Sequence, residues 1–287
     1  MLQLHDVTVR GARSAVFQRG PRDATEAVVC VHGNPGPKDD FVPLLTGLDP
    51  RIRAIAPDMP GYGLADRLPD FDYTVAGYAR HLDGLLEALR IERAHLVLHD
   101  FGGGWGLRWA ADHPGRVGSI TLIGIGVMEG YRWHRFARVW QTPVLGELVQ
   151  RVTPALVFER ALNADNPKPF PEHFLRRLAL FAGDRGHQRA VRRLYRATKD
   201  PEELSARFRE ITGGTLDVPT LVLWGEDDPY VPAAYAEAQK RYFPQADVHV
   251  LPGCGHWPFV DDPEAVWGLA IPFLEARVGN SDMLGER

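Results

Sequence analysis

The sequence predicts an α/β fold, a mostly parallel sheet flanked by helices and interrupted by an inserted helical lid. Three observations predict it. Short apolar runs such as residues 27–31 (AVVCV) alternate with segments of helical spacing through the first half of the chain, as expected of strands buried on both faces of a parallel sheet. From about Glu129 to Gly213 the strand-like runs stop and only helical segments follow. Beyond that block the strand runs resume, so the domain reading is a core of residues 1–128 and 214–287 with a lid of residues 129–213.

The elements follow in order. Residues 2–9 and 14–19 read as an opening hairpin, and 27–31 and 53–57 as buried strands. Residues 73–89 carry apolar side chains at helical spacing, with Asp72 and Thr74 as candidate caps. A strand at 94–98 leads into the glycine-rich stretch 102–106 and a helix reaching about His113, followed by a strand at 119–125. Within the lid, segments rich in Arg, Trp and Leu are broken at Pro143, Pro154 and Pro167. Strands at 220–224 and 246–251 enclose a helix, a last helix covers about 263–278, and the polar tail 280–287 is expected to fray. A lid between two strands of such a sheet covers their carboxyl ends, where these folds bind ligands.

The bulk numbers narrow the function classes. The chain has 287 residues, 45% hydrophobic and 24% charged, with a net charge of −4 and interspersed signs. Neither nucleic acid nor membrane is expected as a partner. Cys30 and Cys254 are too few for a disulfide framework, and no metal-ligand spacing occurs, so no metal or cofactor is expected. The first ten residues lack the apolar core of a signal peptide, and no apolar run is long enough to span a bilayer. A cytoplasmic protein is expected, with a small hydrophobic substrate; monomer and dimer both stay open.

Residues 96–104 (LVLHDFGGG) are a strand, one polar pair, then glycines opening a helix. That is the layout of a turn which lifts one side chain above the sheet, and Asp100 occupies its apex. An Asp before glycines can also be a mere helix cap. Two later features weigh against that. Asp228 lies in residues 224–232 (WGEDDPYVP) and His256 in residues 252–259 (PGCGHWPF), each just past a strand. Taken singly, an acidic turn residue or a turn histidine is ordinary. Together they place nucleophile, acid and base in one chain order at the carboxyl ends of strands.

These residues carry a resemblance. The chain resembles the epoxide hydrolase and haloalkane dehalogenase branch of the α/β-hydrolases over about residues 20–278. The motifs are HGNP at 32–35, HDFG at 99–102, GEDD at 225–228 and Gly255-His256. The resemblance implies an α/β-hydrolase fold and an aspartate nucleophile, Asp100. It puts His256 as base, Asp228 as its acid by the spacing of three from Gly225, and the backbone N–H groups of Asn34 and Phe101 as oxyanion donors. Glu226, Asp227 and Glu129 compete for the acid position. The chemistry accounts for the aspartate: on saturated carbon a serine would form an ether, whereas a carboxylate forms an ester that water can cleave.

The resemblance leaves two substrates in play. Halide release in the family uses an Asn in HGNP, which Asn34 supplies, and a Trp after the nucleophile, where this chain has Phe101. Leu98 stands where epoxide hydrolases commonly carry glycine. Residues 194–198 (LYRAT) resemble a lid tyrosine motif that polarises an epoxide oxygen, which makes Tyr195 a candidate catalytic residue. Its partner stays open among Tyr131, Trp133, His134 and Trp140, and Trp140 and Trp257 are candidate pocket residues. Epoxide hydrolysis is the preferred expectation, with the dehalogenase as alternative. A third hydrolase reading is ester or haloacid hydrolysis; a haloacid hydrolase would keep arginines after the nucleophile, where Phe101, Gly102 and Gly103 stand. A non-catalytic binding protein usually lacks a triad member, and none is missing here.

Overall fold

The computed structural model describes residues 1–279; the tail expected to fray lies outside them. Eight strands form one sheet in the order β1-β2-β4-β3-β5-β6-β7-β8. Strands β1 (Gln3–Val9) and β2 (Ala12–Arg19) pair antiparallel across a two-residue turn, Arg10-Gly11, with both φ values positive at 49° and 82°. That geometry matches the right-handed twist of the two strands. β2 also pairs antiparallel with β4 (Ala54–Pro57), while β3 (Glu26–Val31) and the later strands β5 (Arg93–His99), β6 (Val117–Ile123), β7 (Thr220–Gly225) and β8 (Ala246–Leu251) run parallel.

Burial explains the patterns read above. β3, β5, β6 and β7 are buried almost end to end because helices cover both faces, whereas β8, at the sheet edge, keeps polar side chains toward water. β6 stops at Ile123, two residues before the expected end, because the chain bends at Gly124 with φ 59°. The core helices are α1 (Val42–Gly47), not anticipated from sequence, α2 (Val75–Ala88) and α3 (Phe101–Asp112). Thr74 caps α2, its hydroxyl accepting from Gly77 N–H at 3.0 Å, while Asp72 accepts from Thr74 N–H instead.

Between β6 and β7 the chain makes six helices and no strand: α4 (Arg135–Gln141), α5 (Leu145–Val152), α6 (Ala155–Asp165), α7 (Glu172–Gly183), α8 (Arg185–Ala197) and α9 (Pro201–Thr212). Pro143, Pro154 and Pro167 fall in the gaps between them. Two ion pairs tie this layer to the sheet domain, Arg177 with buried Asp40 and Arg67 with Asp184 at 2.8 Å. Past β7 come α10 (Ala234–Ala238), α11 (Pro258–Asp261) and α12 (Pro263–Glu275). Among the described residues, no helix is long and apolar enough to cross a membrane.

Candidate active site

Asp100 is the single residue between β5 and α3, and its backbone sits at φ 50°, ψ −126°. A non-glycine residue held there costs on the order of 1–3 kcal/mol and persists only where its surroundings fix it. Two glycines make the turn possible. A Cβ on Gly102 would lie 2.1 Å from the Val31 carbonyl oxygen, so only glycine lets the helix start this close to β3. A Cβ on Gly106 would lie 2.3 Å from Leu98 Cδ2. The bulk of Leu98, at a position where glycine is common in the resembling enzymes, is thus absorbed by a glycine two turns along from the apex.

The turn aims Asp100 at two groups. Its Oδ1 accepts from the Asn34 N–H at 2.6 Å, and its Oδ2 lies 3.3 Å from His256 Nε2. His256 Nδ1 lies 2.7 Å from Asp228 Oδ2, whose other oxygen accepts from Tyr230 and Val231 N–H at 2.8 and 2.9 Å. Carboxylate, imidazole and carboxylate form one hydrogen-bonded line. Phe101 N–H, first in α3, has no intrahelical carbonyl to bind and lies beside the same carboxylate. Of the carboxylates competing for the acid position, Asp228 is the one beside His256 Nδ1. Glu226 and Asp227 are exposed, and Glu129 pairs with Arg209 at the surface.

Electrostatics match this geometry. Burial pushes the Asp100 carboxyl up, but His256, His99 and the Asn34 N–H outweigh it and hold the group below its ordinary value. Burial pushes His256 down, and Asp228 and Asp100 outweigh it, raising it to about 10. The resting triad is therefore an imidazolium between two carboxylates. His99 goes the other way: burial, then His256, push it down to about 4. A neutral ring with Nε2 at 2.8 Å from the His256 carbonyl oxygen carries its proton there and donates it, fixing the loop that holds the base.

Above the triad lies a cavity of about 730 Å³ lined by Phe101, Trp133, His134, Trp140, Tyr195 and Trp257, among others. Tyr195 is buried with its ring edge-on to Phe101 at 5.0 Å. Its hydroxyl lies 3.4 Å from His134 Nε2 and 3.5 Å from Asn34 Nδ2. His134 Nδ1 accepts from Ala137 N–H at 3.4 Å as the cap of α4. Its ring is pushed down to about 4, mainly by burial, so it is neutral and its Nε2 carries the proton. Two of the other three lid candidates are committed elsewhere. Tyr131 O–H donates to the Tyr230 carbonyl at 3.0 Å, and Trp133 N–H to the Thr198 and Lys199 carbonyls at 2.8 and 3.1 Å. Sequence reasoning named His134 only within a group of four and assigned His99 no role; the one sequence signal for His99 was its place beside the apex.

Comparison with known proteins follows from this geometry. The family model described as alpha/beta hydrolase fold matches residues 26–263. The chain is 30% identical over 226 residues to a 2-hydroxymuconate semialdehyde hydrolase of Pseudomonas putida, covering 77% of this chain and 76% of that protein. It is 28% identical to a 2-hydroxy-6-oxo-6-phenylhexa-2,4-dienoate hydrolase of Burkholderia cepacia, covering 87% of each. Among solved structures, the haloalkane dehalogenase DbeA from Bradyrhizobium elkani USDA94 superposes with a TM-score of 0.78 at 25% identity, covering 96% of this chain and 100% of that one. The Cif epoxide hydrolase from Acinetobacter nosocomialis superposes at 0.82 with 19% identity, covering 95% and 89%, a likeness of fold.

Proposed function

The chain belongs to the α/β-hydrolase family, and we propose that it opens an epoxide to a vicinal diol through an ester on Asp100. Asp100 attacks a ring carbon, the carbon–oxygen bond breaks, and the departing oxygen takes the Tyr195 proton while His134 N–H donates to it. Ester formation removes the Asp100 charge that helped hold His256 protonated. His256 then returns a proton to the Tyr195 oxygen through the cavity and becomes a free base. It takes a proton from water, whose oxygen adds to the ester carbonyl; the Asn34 and Phe101 N–H groups receive the negative charge. Collapse breaks the bond from the carbonyl carbon to the alkoxide oxygen; the proton of the new Asp100 carboxyl passes to that oxygen, the diol leaves, and the carboxylate stands again beside the imidazolium.

The observation that carries this reading is the donor pair opposite the nucleophile: Tyr195 O–H and His134 N–H, 3.4 Å apart, face the cavity that Asp100 enters. A strongly basic alkoxide needs such donors, whereas a halide needs none that can lose a proton. The indole beside them, Trp133, is turned to backbone carbonyls, and the residue after the nucleophile is a phenyl ring, so the indole donors of a halide site are missing from these two positions. The carbon–carbon hydrolases matched by sequence bear names of carboxylate substrates. The arginines of the cavity wall, Arg108 and Arg207, are each paired with a carboxylate, Asp112 at 2.7 Å and Glu210 at 2.6 Å. Both arginines thus carry a carboxylate partner from the protein itself.

A paired product assay tests the reading. Styrene oxide should give phenylethanediol, and 1-bromohexane should give no bromide under the same conditions. Bromide release without diol formation would overturn it in favour of the dehalogenase.

A further inference from the structure

A second cavity of about 310 Å³ opens from the same aromatic walls. It lies among α4, α5, α6 and α8, and shares Asn34, Pro35, Phe136, Trp140 and Phe158 with the main cavity. The three shared rings form a cluster, with centroids 5.9 Å apart for Phe136–Trp140 and Phe136–Phe158 and 6.0 Å for Trp140–Phe158. Beyond them the wall is Val139, Val149, Val157, Ala161, Ala182 and Val191. Four of the polar side chains at its edge are engaged with protein, while Asn34 Oδ1 has no hydrogen-bond partner among the described residues. Arg135 pairs with Asp165, Gln150 accepts from Arg192, Gln188 donates to the Ala182 carbonyl at 2.6 Å, and His187 lies 3.3 Å from the Gly61 carbonyl.

The main cavity is different in its outer part, where Arg108, Asp200, Glu203, Arg207 and Glu210 line the wall. Water and a diol suit that charged stretch; a hydrocarbon chain does not. The side cavity has the opposite character, and an apolar cavity of this kind stays poorly hydrated and takes apolar ligands. Val157 on its wall is half exposed, and α5 and α6 expose Leu148, Val152 and Leu156. A chain reaching from the triad into the side cavity would pass the Phe136, Trp140 and Phe158 rings, which line both cavities.

We infer that the side cavity seats a linear apolar chain of the substrate whose reacting end lies at Asp100. The inference rests on the epoxide reading above for the identity of that end, and on the cavity alone for the chain. Each methylene moved from water into such a seat should raise kcat/KM about fourfold until the cavity is filled.

The test is a chain-length series of terminal epoxides, from 1,2-epoxypropane to 1,2-epoxydecane, with the wild type and with Ala161→Phe and Val149→Phe. These two residues line the side cavity from α6 and α5 and are absent from the main one. The wild type should show the rise, and both variants should flatten it; 1,2-epoxypropane, which has no chain to seat, reports the state of the triad in each. A flat series in the wild type, or a rise that survives both substitutions, overturns the inference. Binding separates the two readings. Quenching of indole fluorescence by 1-octanol and 1-butanol requires no reaction, and octanol should bind the wild type at least tenfold better than either variant. If octanol shows that preference while no epoxide is turned over, the seat stands and the epoxide reading falls. If octanol binds wild type and variants alike, the seat falls whatever the chemistry.

Discussion

The sheet domain and the lid differ in how they hold their polar groups. In the sheet domain each part of the triad has more than one anchor: Asp228 accepts two backbone N–H bonds as well as the imidazole, and His99 pins the carbonyl of the base. In the lid, Tyr195 meets His134 at 3.4 Å and Asn34 of the sheet domain at 3.5 Å, set by ring packing and one helix cap. The lid also leaves Leu148, Val152 and Leu156 exposed, while Leu98 beneath the nucleophile is fully buried. Under the proposed function, the chemistry common to the fold falls to the multiply anchored part and the choice of substrate to the layer above it.

The largest effect should come from the nucleophile. Asp100→Ala should reduce turnover on the order of 10⁶-fold, as loss of a triad nucleophile does elsewhere. His256→Gln should instead stop after one turnover. Mass spectrometry should find the substrate adduct on the peptide containing Asp100; an adduct elsewhere would break the division of labour.

Asp228→Asn should cost about 10⁴-fold, because an amide favours the wrong imidazole tautomer, and the loss should fall on ester hydrolysis in stopped-flow kinetics. A lid residue should behave differently. Tyr195→Phe should slow ester formation by about 10²–10³-fold and leave hydrolysis of a formed ester alone. Equal loss in both steps would mean that the lid shares in the fold's common chemistry.

The pH dependence separates the steps further. Asp100 is held below the usual carboxylate range, so ester formation should vary little between pH 5 and 9. Asp228 and Asp100 together raise His256 to about 10, so loss of the Asp100 charge in the ester lowers it. Hydrolysis should therefore slow as pH falls, and the ester should accumulate at acid pH, visible as a burst. Stability should fall on the acid side as well. His81, His99, His134 and His187 are pushed down to about 4, each mainly by burial. Below about 6.5 the unfolded chain binds protons that these folded rings refuse, so stability should decline from there to about 4. A Tm that stays flat from pH 7 to 4.5 would contradict that burial.

The smallest expected effect marks the outer face of the lid. Val152→Ser should change stability by no more than about 0.5 kcal/mol, against about 2–5 kcal/mol for Leu98→Ala, both read from chemical denaturation.

The sequence by itself determined the alternation of strands and helices, the strand-free block and the apex at Asp100. Each is written in a local period or a short motif, and local geometry enforces it. The chain order of Asp100, Asp228 and His256 was legible for the same reason, since each follows a strand whose carboxyl end faces one side of the sheet. The spacing from Gly225 favoured Asp228 over Glu129, and the tertiary structure brings Asp228 to 2.7 Å from His256 while Glu129 pairs with Arg209. The tertiary structure also brought His134 to the Tyr195 hydroxyl, matched Leu98 to Gly106 and hollowed out the side cavity. Those outcomes join residues from 8 to 161 positions apart. They depend on how amphipathic helices settle against a sheet and one another, and no local pattern of residues encodes that packing.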